Sequence, residues 1–259
     1  MDVKGLRSKH RMLKEMSYEP SVLDRGYSGK SLYFNLSDNT IRIKEVTEMM
    51  KDKFIGGKGF GLWLLWNGVN KDTKWDSSEN QICFASGPLG GTTSFPGSGK
   101  TLVTSISPTT GSVIDSNVGG HFGPLLKFAG FDAMEIQGKA EKDVIISINS
   151  ITKKLEIFEA PEEALDSHVV SEQLTEMYSE NEDERRNISV VAAGSGSDHT
   201  LIGCLNFSWW DYRRDCTRIK QAGRGGIGSV FRNKKIKAVI VKTPNMRPKW
   251  TIEQRKEKP

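Results

Sequence analysis

The residues from Asp115 to Gly138 constrain this chain more than any others. They read as a polar turn, a glycine pair, a short helix, a glycine stop and a buried strand. Asn117 suits a helix N-cap, and Gly119 and Gly120 let the backbone approach whatever sits at the helix mouth. Leu125, Leu126 and Phe128 give the helix an apolar side, Gly130 stands where a C-cap glycine belongs, and Met134 and Ile136 alternate with polar residues as in a strand. Unpaired N–H groups at such a helix start, with the positive end of its dipole, form a seat for an anion. The design recurs at Gln221 to Phe231, followed by the strand Ile236 to Val241. Each copy has a glycine-rich entry, a short helix, a lysine and a strand carrying an alanine. This predicts a degenerate internal duplication with two anion seats. Glycine turns also serve strand-to-helix geometry alone, and the pattern by itself leaves both uses open.

Two other glycine clusters invite nucleotide readings and fail them. Gly56 to Gly61 opens a helix whose Leu62, Leu65 and Trp66 share a face, but no strand leads into it as a Rossmann unit requires. Lys58 there is a candidate ligand contact. The loop from Gly87 to Lys100 ends Gly-Ser-Gly-Lys-Thr like a P-loop, yet its lysine runs into a strand (Thr101 to Ser107) instead of a helix. Lys100 is therefore expected to aim its charge at an anion shared with the Asn117 seat.

The rest of the chain reads as short strands and one clear helix. Hairpins are predicted at Leu32–Ile43 and at Val144–Phe158, the latter around the turn 149–152, and strands at Ile82–Ser86, Ile188–Ala193 and Ile202–Phe207. Ser167 opens a helix bearing Val170, Leu174 and Met177 on one side. Residues 181–186 read as a charged surface turn. Residues 208–220, with Trp209 and Trp210 among arginines, read as an aromatic loop that walls a ligand or packs against a partner. Residues 1–26 carry several basic residues and few large apolar ones, and read as a solvated, partly disordered arm.

The 259 residues suffice for one large domain or two small ones, and the net charge of +5 suggests an acidic partner. The charges are spread along the chain without the basic–aromatic interleaving of single-strand binders, so no nucleic-acid partner is expected. No apolar run is long enough to span a bilayer and no secretory signal is seen, so the expectation is a cytoplasmic chain with no membrane partner. Cys83, Cys204 and Cys216 form no C-x-x-C pair. That argues against a disulfide framework, and against a zinc site or iron–sulfur cluster held by this chain alone.

Together these motifs resemble one family, the tungsten-dependent aldehyde:ferredoxin oxidoreductases, in their N-terminal cofactor-binding domain. The resemblance rests on Gly29–Leu36, Ile55–Gly59, Ala85–Thr92, Ser107–Gly111, Ser116–Gly123, Leu126–Ala133, Gly138–Ala140 and Ala222–Gly228, in family order and near family spacing. It covers the chain from about Tyr27 to Val241. It implies an α+β fold of duplicated subdomains with mostly antiparallel sheets and short glycine-capped helices over residues 27–243, preceded by the arm 1–26 and followed by a tail, 244–259.

The resemblance implies a tungstopterin cofactor: a tungsten or molybdenum bound by two pterin dithiolenes (bis-molybdopterin), with the pterin phosphates joined by magnesium. The magnesium takes backbone carbonyls that fall on Asn117 and Gln221. Two cofactor-contacting arginines fall on Lys100 and Lys220, where lysine keeps the charge but loses the planar fork. The implied cofactor-binding set is Lys100, Asn117, Val118, Gly119, Gly120, Lys220, Gln221, Ala222, Gly223, Arg224 and Gly225. No catalytic residue is assigned. In the family, helical domains beyond this one supply the iron–sulfur cluster, the substrate channel and the acid/base residues. The expectation is thus a cofactor-binding domain or subunit of an aldehyde-oxidising enzyme, incomplete alone. Its partners would be those helical domains or a cluster-bearing subunit, with ferredoxin indirectly. A non-catalytic cofactor carrier and a generic phosphate-binding module are the alternatives.

Overall fold

The computed structural model describes residues 3–92, 97–160 and 166–244. The expected tail lies outside the described residues beyond Pro244. The first half comprises β2 (Lys30–Asn35), β3 (Thr40–Glu45), α2 (Glu48–Phe54), α3 (Lys58–Gly68), β4 (Ile82–Ala85), β5 (Thr101–Ile106), β6 (Val113–Val118), α4 (Phe122–Phe128) and β7 (Ala133–Gln137). The second repeats it with β8 (Val144–Asn149), β9 (Lys154–Glu159), α5 (Ser167–Tyr178), β10 (Ile188–Ala192), β11 (Leu205–Asp211), β12 (Cys216–Ala222), α6 (Ile227–Asn233) and β13 (Ile236–Lys242). Ahead of both stand α1 (Val3–Arg7) and β1 (Arg11–Ser17).

The duplication is visible in the strand order. One sheet runs β3-β2-β7-β4-β5-β6 and the other β1-β9-β8-β13-β10-β11-β12. Apart from β1, the two orders are the same. Among the described residues, the only parallel pair in each sheet joins the half's first strand to its last, β2 with β7 and β8 with β13, and the other pairs are antiparallel. This is the α+β class expected.

Strand alternation sorts side chains into layers. Phe84, Met134, Phe207 and Val239 enter a common core with Phe122, Leu126, Ile227 and Phe231, so α4 and α6 lie between the sheets. Cys83 and Ala85 point the other way, against Phe60, Leu64 and Leu65 of α3. Val190 and Ile240 likewise meet Val170, Leu174 and Met177 of α5. Both sheets are therefore covered on both faces, and inner strands such as β4, β7, β8, β10 and β13 are almost wholly buried, while the edge strands β1, β3, β6 and β12 are mostly exposed or half-buried. A charge is buried with them. Lys127 and Asp132 are 1% and 0% exposed, with 3.7 Å between Nζ and Oδ1. Lys127 donates to the carbonyls of Gly26 and Gly87, and Asp132 accepts from the N–H groups of Ser28 and Gly29, so each charge has polar partners.

Four local expectations need correction. Residues 11–17, expected in a disordered arm, form the edge strand β1, paired antiparallel along β9. Its side chains are exposed or half-buried, and only Leu13 and Met16 touch the core, so most of the order comes from the ladder and the apolar signal is weak. On α3 the buried positions are Phe60, Gly61, Leu64 and Leu65; of the face expected at Leu62, Leu65 and Trp66 only Leu65 is buried, while Leu62 and Trp66, 79% exposed, look outward. The loop expected at 208–220 is mostly strand, the β11–β12 hairpin, turning at 212–215. The turn 181–186 is more than surface: Glu184 takes the buried Lys242 ammonium at 2.8 Å, and Arg185 stacks over Trp210 at 4.8 Å.

Candidate cofactor seat

Each sheet ends in an edge strand, β6 in one and β12 in the other, and these two edges meet. Asn117 and Gln221 are the penultimate residues of β6 and β12, so they hold corresponding places in the two halves. Val118 and Ala222 follow, both buried, and the chain then leaves each strand through glycine: Gly119 and Gly120 in one half, Gly223 and Gly225 around Arg224 in the other.

Asn117 is not the N-cap expected. It lies in β6, and α4 begins later, with His121 as its N-cap and no side-chain capping bond. The polar run Asp115-Ser-Asn117 reads as a turn in sequence, yet an edge strand tolerates it because one side of the strand faces solvent. The helix entry in the second half is set by Gly225 and Gly226, both left-handed at φ 70° and 66°. A Cβ on Gly225 would lie 2.5 Å from Ile114 Cγ1, so this glycine lets the second motif pack directly onto β6.

Two hydrogen bonds tie the motifs together across the halves. The Arg224 N–H donates to Ser116 Oγ at 3.2 Å, and Ser107 Oγ donates to the Gly225 carbonyl at 2.8 Å. The Lys100 loop joins them: Lys100 Nζ donates to Asn117 Oδ1 at 3.1 Å, and a Cβ on Gly99 would meet the Gly120 carbonyl at 2.6 Å. Lys58, a candidate contact from sequence, is instead paired with Asp115 at 2.7 Å.

The resulting surface is open and positive. Lys100, Asn117, Lys220, Gln221, Gly223 and Arg224 are exposed. Among the described residues, the side chains of Lys220 and Arg224 have no carboxylate partner. A Cβ built on Gly119 or Gly120 meets no atom within 4 Å, and one on Gly223 meets only Cys204 Sγ at 3.7 Å. Space therefore lies beside the backbone where charge is in excess. The structure thus gathers the whole sequence-derived set at one place, Val118 and Ala222 serving from beneath.

Sequence reasoning assigned no place at the seat to His121 and left that of Trp209 open. His121 packs its ring 5.9 Å from that of Trp209, which shares a face of β11 with the core residue Phe207. Alternation from Phe207 was the signal that could have placed Trp209 there. Trp209 and Trp210 are both half-buried, and the most exposed large apolar side chains among the described residues lie elsewhere, at Val22, Trp66, Ile202 and Leu89. Among the described residues no group of three or more His, Cys, Asp or Glu side chains is placed to hold a metal, and no helix is long and apolar enough to cross a membrane.

Residues 31–243 match the aldehyde ferredoxin oxidoreductase N-terminal domain. The chain is 35% identical over 219 residues to a tungsten-containing aldehyde ferredoxin oxidoreductase of Pyrococcus horikoshii, over 84% of this chain and 33% of that protein. It is 30% identical over 222 residues to the aliphatic sulfonate oxidoreductase WOR-like subunit of Pyrococcus furiosus, over 83% of this chain and 34% of that one. Among solved structures, the active site complex BamBC of benzoyl coenzyme A reductase with 1,5-dienoyl-CoA superposes with a TM-score of 0.72 at 28% identity, over 84% of this chain and 31% of that one. The chain spans about a third of the length of the relatives it matches. By its sequence from residue 31 to residue 243, it belongs to the aldehyde ferredoxin oxidoreductase family as an N-terminal domain of that kind.

Proposed function

We propose that this chain forms the phosphate-gripping wall of a tungstopterin site in an aldehyde:ferredoxin oxidoreductase-type enzyme. The observation that carries the reading is the meeting of two glycine-ended edge strands, β6 and β12, around an open surface with unpaired cations.

The residues present fit an anionic bis-pterin group. Backbone beside Gly119, Gly120 and Gly223 is reachable without a side chain in the way. Lys100, Lys220 and Arg224 would face its phosphates as charge-assisted donors. Asn117 and Gln221, matched across the duplication, would each offer a backbone carbonyl to the magnesium that joins those phosphates. Magnesium is a hard cation for which such oxygen donors would be suitable ligands. Gln221 stands where a small residue would also serve, because a backbone ligand is indifferent to its side chain.

When bound, the cofactor supplies two-electron redox chemistry at its metal, which the family uses to convert aldehydes to carboxylic acids. This chain's residues bind and orient; none is assigned a proton-transfer role. The iron–sulfur cluster, the substrate channel and the route to ferredoxin are assigned to the remaining two thirds of the enzyme, on the same chain or a partner. Metal and pterin analysis of protein purified together with those domains tests the reading. Tungsten or molybdenum with pterin and magnesium in the wild type, lost in Lys220→Glu, is the expected result. Full cofactor content in that variant would overturn the assignment of the seat.

A further inference from the structure

The internal symmetry exposes a second site at the other end of α6. The helices α4 and α6 correspond, each has seven residues, and the penultimate residue of each is a cation, Lys127 and Arg232. In the first half the space beyond this cation is filled by the chain itself. Lys127 is 1% exposed, its ammonium bonded to the Gly26 and Gly87 carbonyls and lying 5.9 Å from the Tyr27 ring. In the second half the corresponding space is open: a cavity of about 740 Å³ lined by Trp75, Lys139, Asp198, His199, Arg232 and Lys235, with hydroxyls from Ser197, Thr200 and Ser229.

The charges of this cavity are unbalanced. Arg232 is matched by Asp143 at 2.9 Å and Asp198 at 3.1 Å. Lys139 and Lys235 have no ion pair among the described residues, and neither does His199. Lys235 is held left-handed, at φ 62°, as the residue just past the C-cap of α6, which fixes where its side chain leaves the helix. Trp75 packs one part of its ring on the core and remains half-exposed. A volume of this size is that of a pocket for a drug-sized ligand.

We propose that this cavity binds a small phosphorylated ligand with a planar ring, of the nucleoside monophosphate class. The phosphate would be held by Lys139 and Lys235, and the ring would stack on Trp75, which lines the same cavity. Arg232, already satisfied by two carboxylates, frames the cavity and leaves the two lysines for the ligand. The site is separate from the cofactor seat. It lies at the C-terminal end of α6, whose N-terminal end adjoins Gly225 and Gly226, roughly 10 Å away at 1.5 Å per residue.

Calorimetric titration of the full chain with AMP, adenosine and inorganic phosphate separates the contributions. Saturable AMP binding at one site, at least tenfold tighter than adenosine and phosphate separately, is expected. Lys139→Glu and Lys235→Glu should each weaken AMP about tenfold or more, the scale of one charge-assisted contact. Trp75→Leu should bring AMP toward the affinity of phosphate, as loss of one stacking surface does. Lys220→Glu, at the seat, should leave AMP binding unchanged. Circular dichroism of each variant identifies any that fails to fold, and the variants at exposed Lys139 and half-buried Lys235 keep the test open if Trp75→Leu does not fold. No AMP binding by the wild type, or equal binding by folded Lys139→Glu and Lys235→Glu variants, would overturn the proposal; so would loss of AMP binding only in Lys220→Glu.

Discussion

Two glycines of the candidate seat look alike in sequence and should behave oppositely when replaced. Gly119 lacks a positive φ, and a Cβ there meets no atom within 4 Å. Gly119→Val should therefore leave stability within about 0.5 kcal/mol of wild type, or raise it by up to about 1 kcal/mol through the unfolded state. Gly225 has φ 70° and a Cβ position 2.5 Å from Ile114 Cγ1. Gly225→Val combines left-handed strain of about 1–3 kcal/mol with overpacking of about 1–3 kcal/mol, so a loss of about 2–6 kcal/mol is expected. Ligand retention discriminates in the other direction. If the open space beside Gly119 is where a phosphate meets the backbone, a valine there removes one or two charge-assisted hydrogen bonds. At about 1.5–3 kcal/mol each, that is at least a tenfold loss of affinity. Urea unfolding of each purified variant gives the stabilities, and metal and pterin content after dialysis gives retention. A Gly119→Val protein that unfolds like the wild type and keeps its full cofactor would refute the assignment of that space.

Further expectations follow from the same geometry. At Lys100 and Lys220, replacement by Glu should strip the cofactor while Arg retains or tightens it through its planar fork; equal retention by Arg, Ala and Glu variants would show both lysines to be merely solvated. Ser107→Ala removes the Ser107 Oγ bond to the Gly225 carbonyl, and should cost about 1 kcal/mol in chemical denaturation. Removing one partner of the buried Lys127–Asp132 pair, as in Asp132→Asn, should destabilise by about 3–5 kcal/mol, far more than Lys154→Gln at the exposed Lys154–Glu15 pair. Burial pushes the Lys234 ammonium from its ordinary 10.5 down to about 7, so from pH 7 to 10.5 the unfolded chain binds more protons than the folded one. Stability should therefore rise with pH across that window, the full cost of charging Lys234 being present below it. The rise should be absent in Lys234→Met when urea midpoints are compared at about pH 6.5 and about pH 9.5.

What the sequence revealed of this fold depended on whether the signal was local. The duplication was legible because glycine pairs, a helix of one apolar side and a buried strand are each written within a few residues. Strand β1 was not, because Arg11-Met-Leu-Lys-Glu-Met-Ser17 has helix-forming residues and no fully buried position, with only Leu13 and Met16 touching the core, and becomes a strand by pairing with β9. The β11–β12 hairpin was hidden by the arginines around its turn, which continue into the strand as Arg218 and Lys220. At the seat, the glycines and Asn117 and Gln221 came from motif, but the juxtaposition of β6 with β12 is a property of two sheets and is written nowhere in either stretch. The misplaced N-cap at Asn117 has the same origin: a polar segment on a sheet edge carries the composition of a turn.

The bonds that join the two glycine motifs also fix an order of assembly. Ser107 meets Gly225 across 118 positions of chain, and Arg224 meets Ser116 across 108. Closing such long loops is entropically slow, so the hairpins β2–β3, β5–β6, β8–β9 and β11–β12 are expected to form before the halves dock. During synthesis the first motif leaves the ribosome long before its counterpart, with Asn117 in place but no Gln221 opposite it. There is then no half-strength seat to capture a ligand early. On the proposed reading, loading waits until the second half has folded against the first, so the finished fold, and not a nascent chain, is the species that takes up the cofactor.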